Sequence, residues 1–344
     1  MIRFRKILKN NSTMLRRPRR NRRNAAIRGM AEEAQLTPRH LVQPIFLVEG
    51  EGQREEIPSL PGSFRLSADE AIKEVENSMQ LGLFNFIMFP KIPEQHKDKR
   101  GNYSVADDNF YLQAARQLKD RFPEICLISD VALDPYSVDG HDGVVHDGKI
   151  LNDETLHVLQ KMGVAQAQAG FDMLGPSDMM DGRVEALRIA LDENGYTDTG
   201  IMSYTAKYAS AFYGPFRDAL DSAPVESDDI PKDKKTYQMN PANRREAILE
   251  GELDTVEGAD FLMVKPALHY LDVILSMKQH FELPIAAYHV SGECAMLMAA
   301  CQNGWLDYET AMPETLLSLH RAGADAIITY FAKDFARRYT EGKV

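Results

Sequence analysis

Eight short apolar runs, each followed by a longer polar-faced stretch, recur along the chain from residue 42 onward and leave few folds open. The runs cover residues 42–48, 84–90, 125–131, 171–174, 200–204, 261–264, 285–290 and 326–330. Each is mainly β-branched, aromatic, Leu or Met, the composition of strands buried on both faces. Helix-like segments lie between them at 68–81, 109–121, 154–169, 182–193, 244–255, 270–281, 293–303 and 313–322, with a last one at 332–338. Ser67, Asp153 and Asp181 stand where N-caps of three of these helices belong. Alternation of this kind over about 300 residues predicts a (β/α)8 TIM barrel. An open doubly wound sheet is the alternative. It would often bring a glycine-rich phosphate loop after an early strand, and neither GxGxxG nor GxxxxGK[ST] occurs. In a barrel, residues just past the strand ends converge on one mouth. The longest such excursion, 209–240, reads as a mobile lid.

Composition sharpens the division of the chain. Of 344 residues, 40 are Lys or Arg and 51 are Asp or Glu, a net charge of −11. Eleven of the bases and no acid fall in the first 28 residues, which leaves the rest at −22. The expected organisation is therefore a basic N-terminal arm over 1–35 and a catalytic barrel over 36–344. The arginines around Pro18 repel one another and should be extended in isolation. Nucleic-acid binding, organelle targeting and packing on an acidic neighbouring subunit are the functional readings of this arm, with a solvated tail as the plain one. No aromatic residue interleaves the arginines after Phe4, which removes a stacking platform for bases. Cys126, Cys294 and Cys301 are too few and too scattered for a disulfide scaffold or a CxxC zinc module. No apolar stretch approaches the roughly 20 residues of a membrane helix. The expectation is a soluble, cytoplasmic protein with neither membrane nor nucleic acid as partner.

Chemistry gathers at the predicted strand ends. Lys207 lies just beyond the fifth run and Lys265 directly after the sixth. A lysine closing an apolar strand is partly desolvated, and a second ammonium nearby lowers its pKa further, freeing an amine to attack a carbonyl. Either lysine alone reads more simply as a snorkelling surface residue; two on adjacent strands point to Schiff-base chemistry on a keto substrate. After the third run, Asp130, Asp134, Asp139, His141 and Asp142 form a loop able to hold a hard cation such as Mg²⁺, or simply to cap turns. Ser291 and Tyr330 bring hydroxyls to the same mouth, and Arg217, Lys232, Lys234 and Lys235 give the lid a charge suited to a carboxylate.

Several long stretches together resemble the porphobilinogen synthase (5-aminolevulinate dehydratase) family. They are Met202-Ser203-Tyr204-Thr205-Ala206-Lys207-Tyr208-Ala209-Ser210, Tyr213-Gly214-Pro215-Phe216-Arg217, Tyr237-Gln238-Met239-Asn240-Pro241-Ala242-Asn243 and Met263-Val264-Lys265-Pro266-Ala267. The resemblance implies condensation of two 5-aminolevulinate molecules to porphobilinogen, with Schiff bases on Lys207 and Lys265. It implies that Arg217 and Lys234 hold one substrate carboxylate and that Ser291 and Tyr330 hold the other. Zinc-dependent members carry three cysteines in the third-strand loop; the matching positions here are Ala132, Asp134 and Asp142, so no zinc is expected there. This resembles the family's magnesium-responsive branch, whose allosteric Mg²⁺ uses a glutamate matching Glu250. Asp134 and Asp142 stay as possible further metal ligands. The family's arm wraps a neighbouring barrel to build a homo-octamer, and 16–28 with Leu36-Thr37-Pro38 resemble it. Only residues 1–14 are then unassigned, short for a transit peptide. Two other classes stand beside this one: a metal-dependent barrel hydrolase or lyase using Asp130, Asp134 and Asp142, and a nucleic-acid binder working through the arm, which the acidic body disfavours.

Overall fold

A computed structural model describes residues 14–220 and 230–344. The first part of the expected arm and residues 221–229 of the expected lid lie outside the described residues. The chain falls into two units, one ending at Gln35 and the other spanning Leu36–Val344.

The larger unit is a closed parallel barrel. Its strands are β1 (Leu41–Leu47), β2 (Asn85–Pro90), β3 (Cys126–Ile128), β4 (Met173–Leu174), β5 (Gly200–Lys207), β6 (Phe261–Lys265), β7 (Ile285–His289) and β8 (Ala326–Thr329). Each pairs with the next, and β8 returns to β1 through Ile327 opposite Leu41 and Ile328 opposite Val42. The helices are α1 (Ala68–Met79), α2 (Phe110–Arg121), α3 (Asn152–Gln168), α4 (Arg183–Glu193), α5 (Glu246–Glu257), α6 (Leu271–His280), α7 (Ser291–Gln302), α8 (Tyr308–Ala322) and α9 (Ala332–Thr340). All eight expected runs lie on barrel strands, because strands walled by helices outside and side chains inside must be apolar throughout. Phe46, Phe89, Tyr204 and Tyr288 are buried and approach one another as a chain of rings.

Some local expectations change. Ser67 is at the N-cap of α1, but its hydroxyl serves Gln53 N and Asp69 rather than the helix amides. Helix α3 starts at Asn152, so Asp153 lies in its first turn, where a carboxylate still faces the positive end of the helix dipole. Helix α4 is entered through Gly182 at φ 74°, which displaces Asp181 from the cap; Asp181 N instead bonds Asn152 Oδ1 at 2.8 Å. Two short hairpins, Arg54–Glu56 with Phe64–Leu66 and Val145–His146 with Lys149–Ile150, carry no long apolar run and escape a pattern reading.

In the smaller unit the extended chain expected around Pro18 is replaced by a 3-10 turn, Pro18–Arg22, and a helix, Ala25–Met30. Pro18 fits the first helical position and Asn24 caps the helix by accepting from Ile27 N at 3.0 Å. The arginine side chains between Arg16 and Arg28 are exposed, which spaces their charges in water.

Candidate active site

The two lysines are placed by strand register. Phe261 pairs with Met202 and Leu262 with Ser203, but Val264 pairs with Ala206 and Lys265 with Lys207. The register therefore slips by one residue, Tyr204 and Thr205 of β5 together lying opposite Met263 of β6. Without the slip, Lys265 would stand beside Ala206. Side chains alternate between the faces of a strand, so this irregularity brings both amines to one mouth.

Both lysines are buried. Lys265 Nζ lies 4.5 Å from the ring centre of Tyr288, 4.9 Å from Tyr204, 5.0 Å from Phe216 and 5.4 Å from Tyr213. Burial, and then the charge of Lys207, lowers its pKa to about 7. Near neutral pH this amine is therefore far more available in its uncharged, nucleophilic form than an ordinary lysine. Lys207 Nζ donates to the Ser177 carbonyl and sits 3.6 Å from Asp142 Oδ2.

Three buried carboxylates face the lysines from the segment after β3. Burial, then the charge of Asp134, pushes Asp130 up to about 7. Burial and the nearby Asp142 raise Asp134 as well. Burial would raise Asp142 too, but Lys207 and Lys234 outweigh it and hold that carboxyl below its usual range. Lys234 Nζ lies 3.1 Å from Asp134 Oδ2 and 3.0 Å from Asp142 Oδ1. The two candidate metal ligands are thus joined by an ammonium. Among the described residues no three His, Cys, Asp or Glu side chains are grouped to hold a metal ion.

The lid segment is fastened at its base. Met239 N donates to Lys207 O at 3.0 Å and Ala209 N to Met239 O at 2.8 Å, so the excursion leaves and re-enters at the end of β5. On its return it packs on the acidic loop: His141 Nε2 meets Pro231 O at 2.7 Å and Nδ1 meets Tyr237 OH at 3.0 Å. A ring donating to a carbonyl and accepting from a phenol is neutral, consistent with burial lowering its pKa. The lid helix Gly214–Leu220 carries Phe216, whose N donates to Ser291 Oγ at 3.0 Å, and the half-buried Arg217 beside it. Tyr330 OH is 3.2 Å from Tyr288 OH. Lys207, Lys265, Lys234, Ser291 and Tyr330 are therefore tied to one mouth by shared neighbours.

Glu250 lies elsewhere, on α5, in a polar cavity of about 590 Å³ lined also by Asp181, Asn240, Asn243 and Glu246. Burial raises its carboxyl to about 7 against the pull of Arg183, and Asp254, Asp181 and Glu246 add to the rise. A cation would relieve that crowding, and the donors are all oxygens, the set a hard divalent ion takes. Arg183 is buried nearby, 3.5 Å from Asp254 and 3.1 Å from Ser203 Oγ on β5.

Sequence reasoning passed over the ring cage of Lys265, the Ser177 carbonyl and Arg183. Ser177 and Asp178 were findable, since they follow the fourth run just as Lys207 follows the fifth. The cage was not, because its rings come from β5, β7 and the lid.

The family profile described as Delta-aminolevulinic acid dehydratase matches residues 15–338. A delta-aminolevulinic acid dehydratase of Chlamydia pneumoniae is 51% identical over 320 residues, covering 93% of this chain and 95% of its own. A chloroplastic one of Physcomitrium patens is 53% identical over 318 residues, covering 92% and 72%. The crystal structure of the Toxoplasma gondii enzyme with its reaction product porphobilinogen superposes with a TM-score of 0.93 at 49% identity, covering 95% of this chain and 92% of that one.

Proposed function

The chain belongs to the delta-aminolevulinic acid dehydratase family, and from that premise we propose how its side chains divide the work. It is a hydro-lyase of tetrapyrrole biosynthesis that condenses two molecules of 5-aminolevulinate to porphobilinogen with loss of two waters. The observation that carries the assignment of roles is the pairing of Lys207 with Lys265 across β5 and β6. Each amine adds to the keto carbon of one substrate and loses water to form an imine. Holding both imines on adjacent strands replaces a chance encounter by a fixed approach, a large entropic gain. Lys265 is supplied neutral by its desolvating cage, and the same rings keep water from its imine. Arg217 and Lys234 hold the carboxylate of one substrate, and Ser291 and Tyr330 that of the other. The segment 209–240 closes over them.

Borohydride added with 5-aminolevulinate should fix substrate mass on Lys207 or Lys265. A peptide map showing neither adduct, or no porphobilinogen in the colour test, refutes these roles.

We further propose the magnesium-responsive branch. Glu250, with Asp181 and the amide oxygens of its cavity, would hold an allosteric Mg²⁺, whose charge stabilises the crowded carboxylates. Magnesium commonly keeps several waters and needs only one or two protein carboxylates. Chelation should lower activity, Mg²⁺ should restore it, and Glu250→Ala should abolish that response; rescue by Zn²⁺ alone would contradict the proposal. No zinc site is proposed at Ala132, Asp134 and Asp142, which lack a thiolate. The basic arm is proposed to grip an acidic neighbouring barrel in a homo-octamer, which removal of residues 1–28 should dissociate in sedimentation. A cytoplasmic location is proposed from the free thiols, and no helix among the described residues is long and apolar enough to cross a membrane. The moss relative's chloroplastic description makes cell fractionation the deciding measurement.

A further inference from the structure

The acidic loop after β3 has the charges of a metal site, and a lysine joins them. Asp134 and Asp142 are buried, and two buried carboxylates with no cation between them are prohibitively costly. The cation present is Lys234, delivered from 100 residues beyond Asp134 and 92 beyond Asp142 by the return of the lid. Its Nζ takes one oxygen of each acid. Asp142 Oδ1 is thereby engaged, while Oδ2, buried and without a hydrogen-bond partner, faces Lys207 Nζ at 3.6 Å.

We propose that Lys234 is the resident cation of this loop: its ammonium stands where a metal ion would otherwise join Asp134 and Asp142, and it aims Asp142 at Lys207. This rests on the assignment of Lys207 as an imine-forming residue. Imine formation adds the neutral amine to the keto carbon, expels one water and, with one proton taken up, leaves a cationic nitrogen on Lys207. Asp142 Oδ2 is the counter-ion for that nitrogen. Lys234 acts through Asp142 and is in this respect a positioning residue. An ammonium has three N–H donors, and the two spent on the acids leave a third for a substrate carboxylate, so this role and the one proposed above coexist.

The test reads cation binding without substrate, so its outcome is independent of porphobilinogen formation. Lys234→Ala empties the position between the acids, and Lys234→Met does the same while keeping the stem. Titrated with Mn²⁺ and followed by electron paramagnetic resonance, each folded variant should bind one more equivalent per chain than the unsubstituted protein. Adding Asp134→Asn and Asp142→Asn should remove that equivalent. In a second readout, borohydride trapping of 5-aminolevulinate on Lys207 should fall at least ten-fold in Lys234→Ala. Methylammonium ion should then restore it with saturation, and Lys234→Arg should retain part of it. Folded variants that gain no Mn²⁺ equivalent and show no rescue by methylammonium overturn the proposal. So does an extra equivalent that survives loss of both acids. If neither Lys234 variant folds, Asp142→Asn alone decides, since unchanged trapping at Lys207 would deny it a counter-ion role.

Discussion

Replacing Lys265 by Met should abolish turnover and make the fold more stable, and the size of the gain follows from the site. Lowering an amine from 10.5 to about 7 stores about 5 kcal/mol against its charged form. In the unfolded chain the lysine takes up its proton near its ordinary pKa, so between about 7 and 10.5 the unfolded state binds more protons than the native one. Stability from this group therefore rises with pH across that window, and the full penalty applies below it. At pH 8 the linkage comes to about 3 kcal/mol, and it falls close to zero by pH 10.5. Met keeps the length of the stem among Tyr204, Tyr213, Phe216 and Tyr288 and brings no charge to desolvate. Urea unfolding at fixed protomer concentration, from pH 6 to 10.5, gives the comparison. Lys265→Met should be the more stable protein, by an amount that narrows steadily as pH rises. A variant less stable than its parent, or a gap that ignores pH, would show that the cage does not desolvate an amine.

The same ionisation should appear in catalysis: kcat/KM should fall about ten-fold per pH unit below about 7, as protonation removes the Lys265 nucleophile, and an acid limb near pH 9 or above would contradict its lowered pKa. Arg183→Met should cost about 3–5 kcal/mol in urea unfolding, because Asp254 loses its partner while buried. Pairing it with Asp254→Leu should recover much of that loss. Gly292→Ala would place a Cβ 2.5 Å from the Phe212 carbonyl oxygen, so the lid's first turn must shift. We expect kcat/KM to drop about ten-fold while circular dichroism is unchanged; wild-type kinetics would mean that the lid does not depend on this close approach.

The barrel was legible because its strands are short and buried on both sides, so each reads as an unbroken apolar run. Even β4, only Met173–Leu174, kept its place because the run continued back to Phe171. The hairpins were not legible, since three exposed residues such as Arg54–Glu56 follow the partner strand rather than a pattern of their own. Lys207 and Lys265 were visible as polar residues terminating apolar runs. Their pairing was not, because the slip between Leu262 and Val264 is a relation between two strands that neither contains. Lys234 was visible as positive charge on the lid, whereas its seat between Asp134 and Asp142 depends on two segments 92 to 100 residues apart in the chain. The arm's turn and helix were missed for a simpler reason: arginine repulsion was weighed, but Pro18 and Asn24 as helix-starting residues were not.

The slipped register also sets a rule for transplantation. Lys265 lies three residues past Leu262 but Lys207 lies four past its partner Ser203, so copying these spacings onto two adjacent regular strands of another (β/α)8 barrel would aim one amine into the mouth and the other into the helix layer. The graft has to carry the irregular step between Leu262 and Val264 with it. A designer who straightened that stretch for stability would keep both residues and lose the pair.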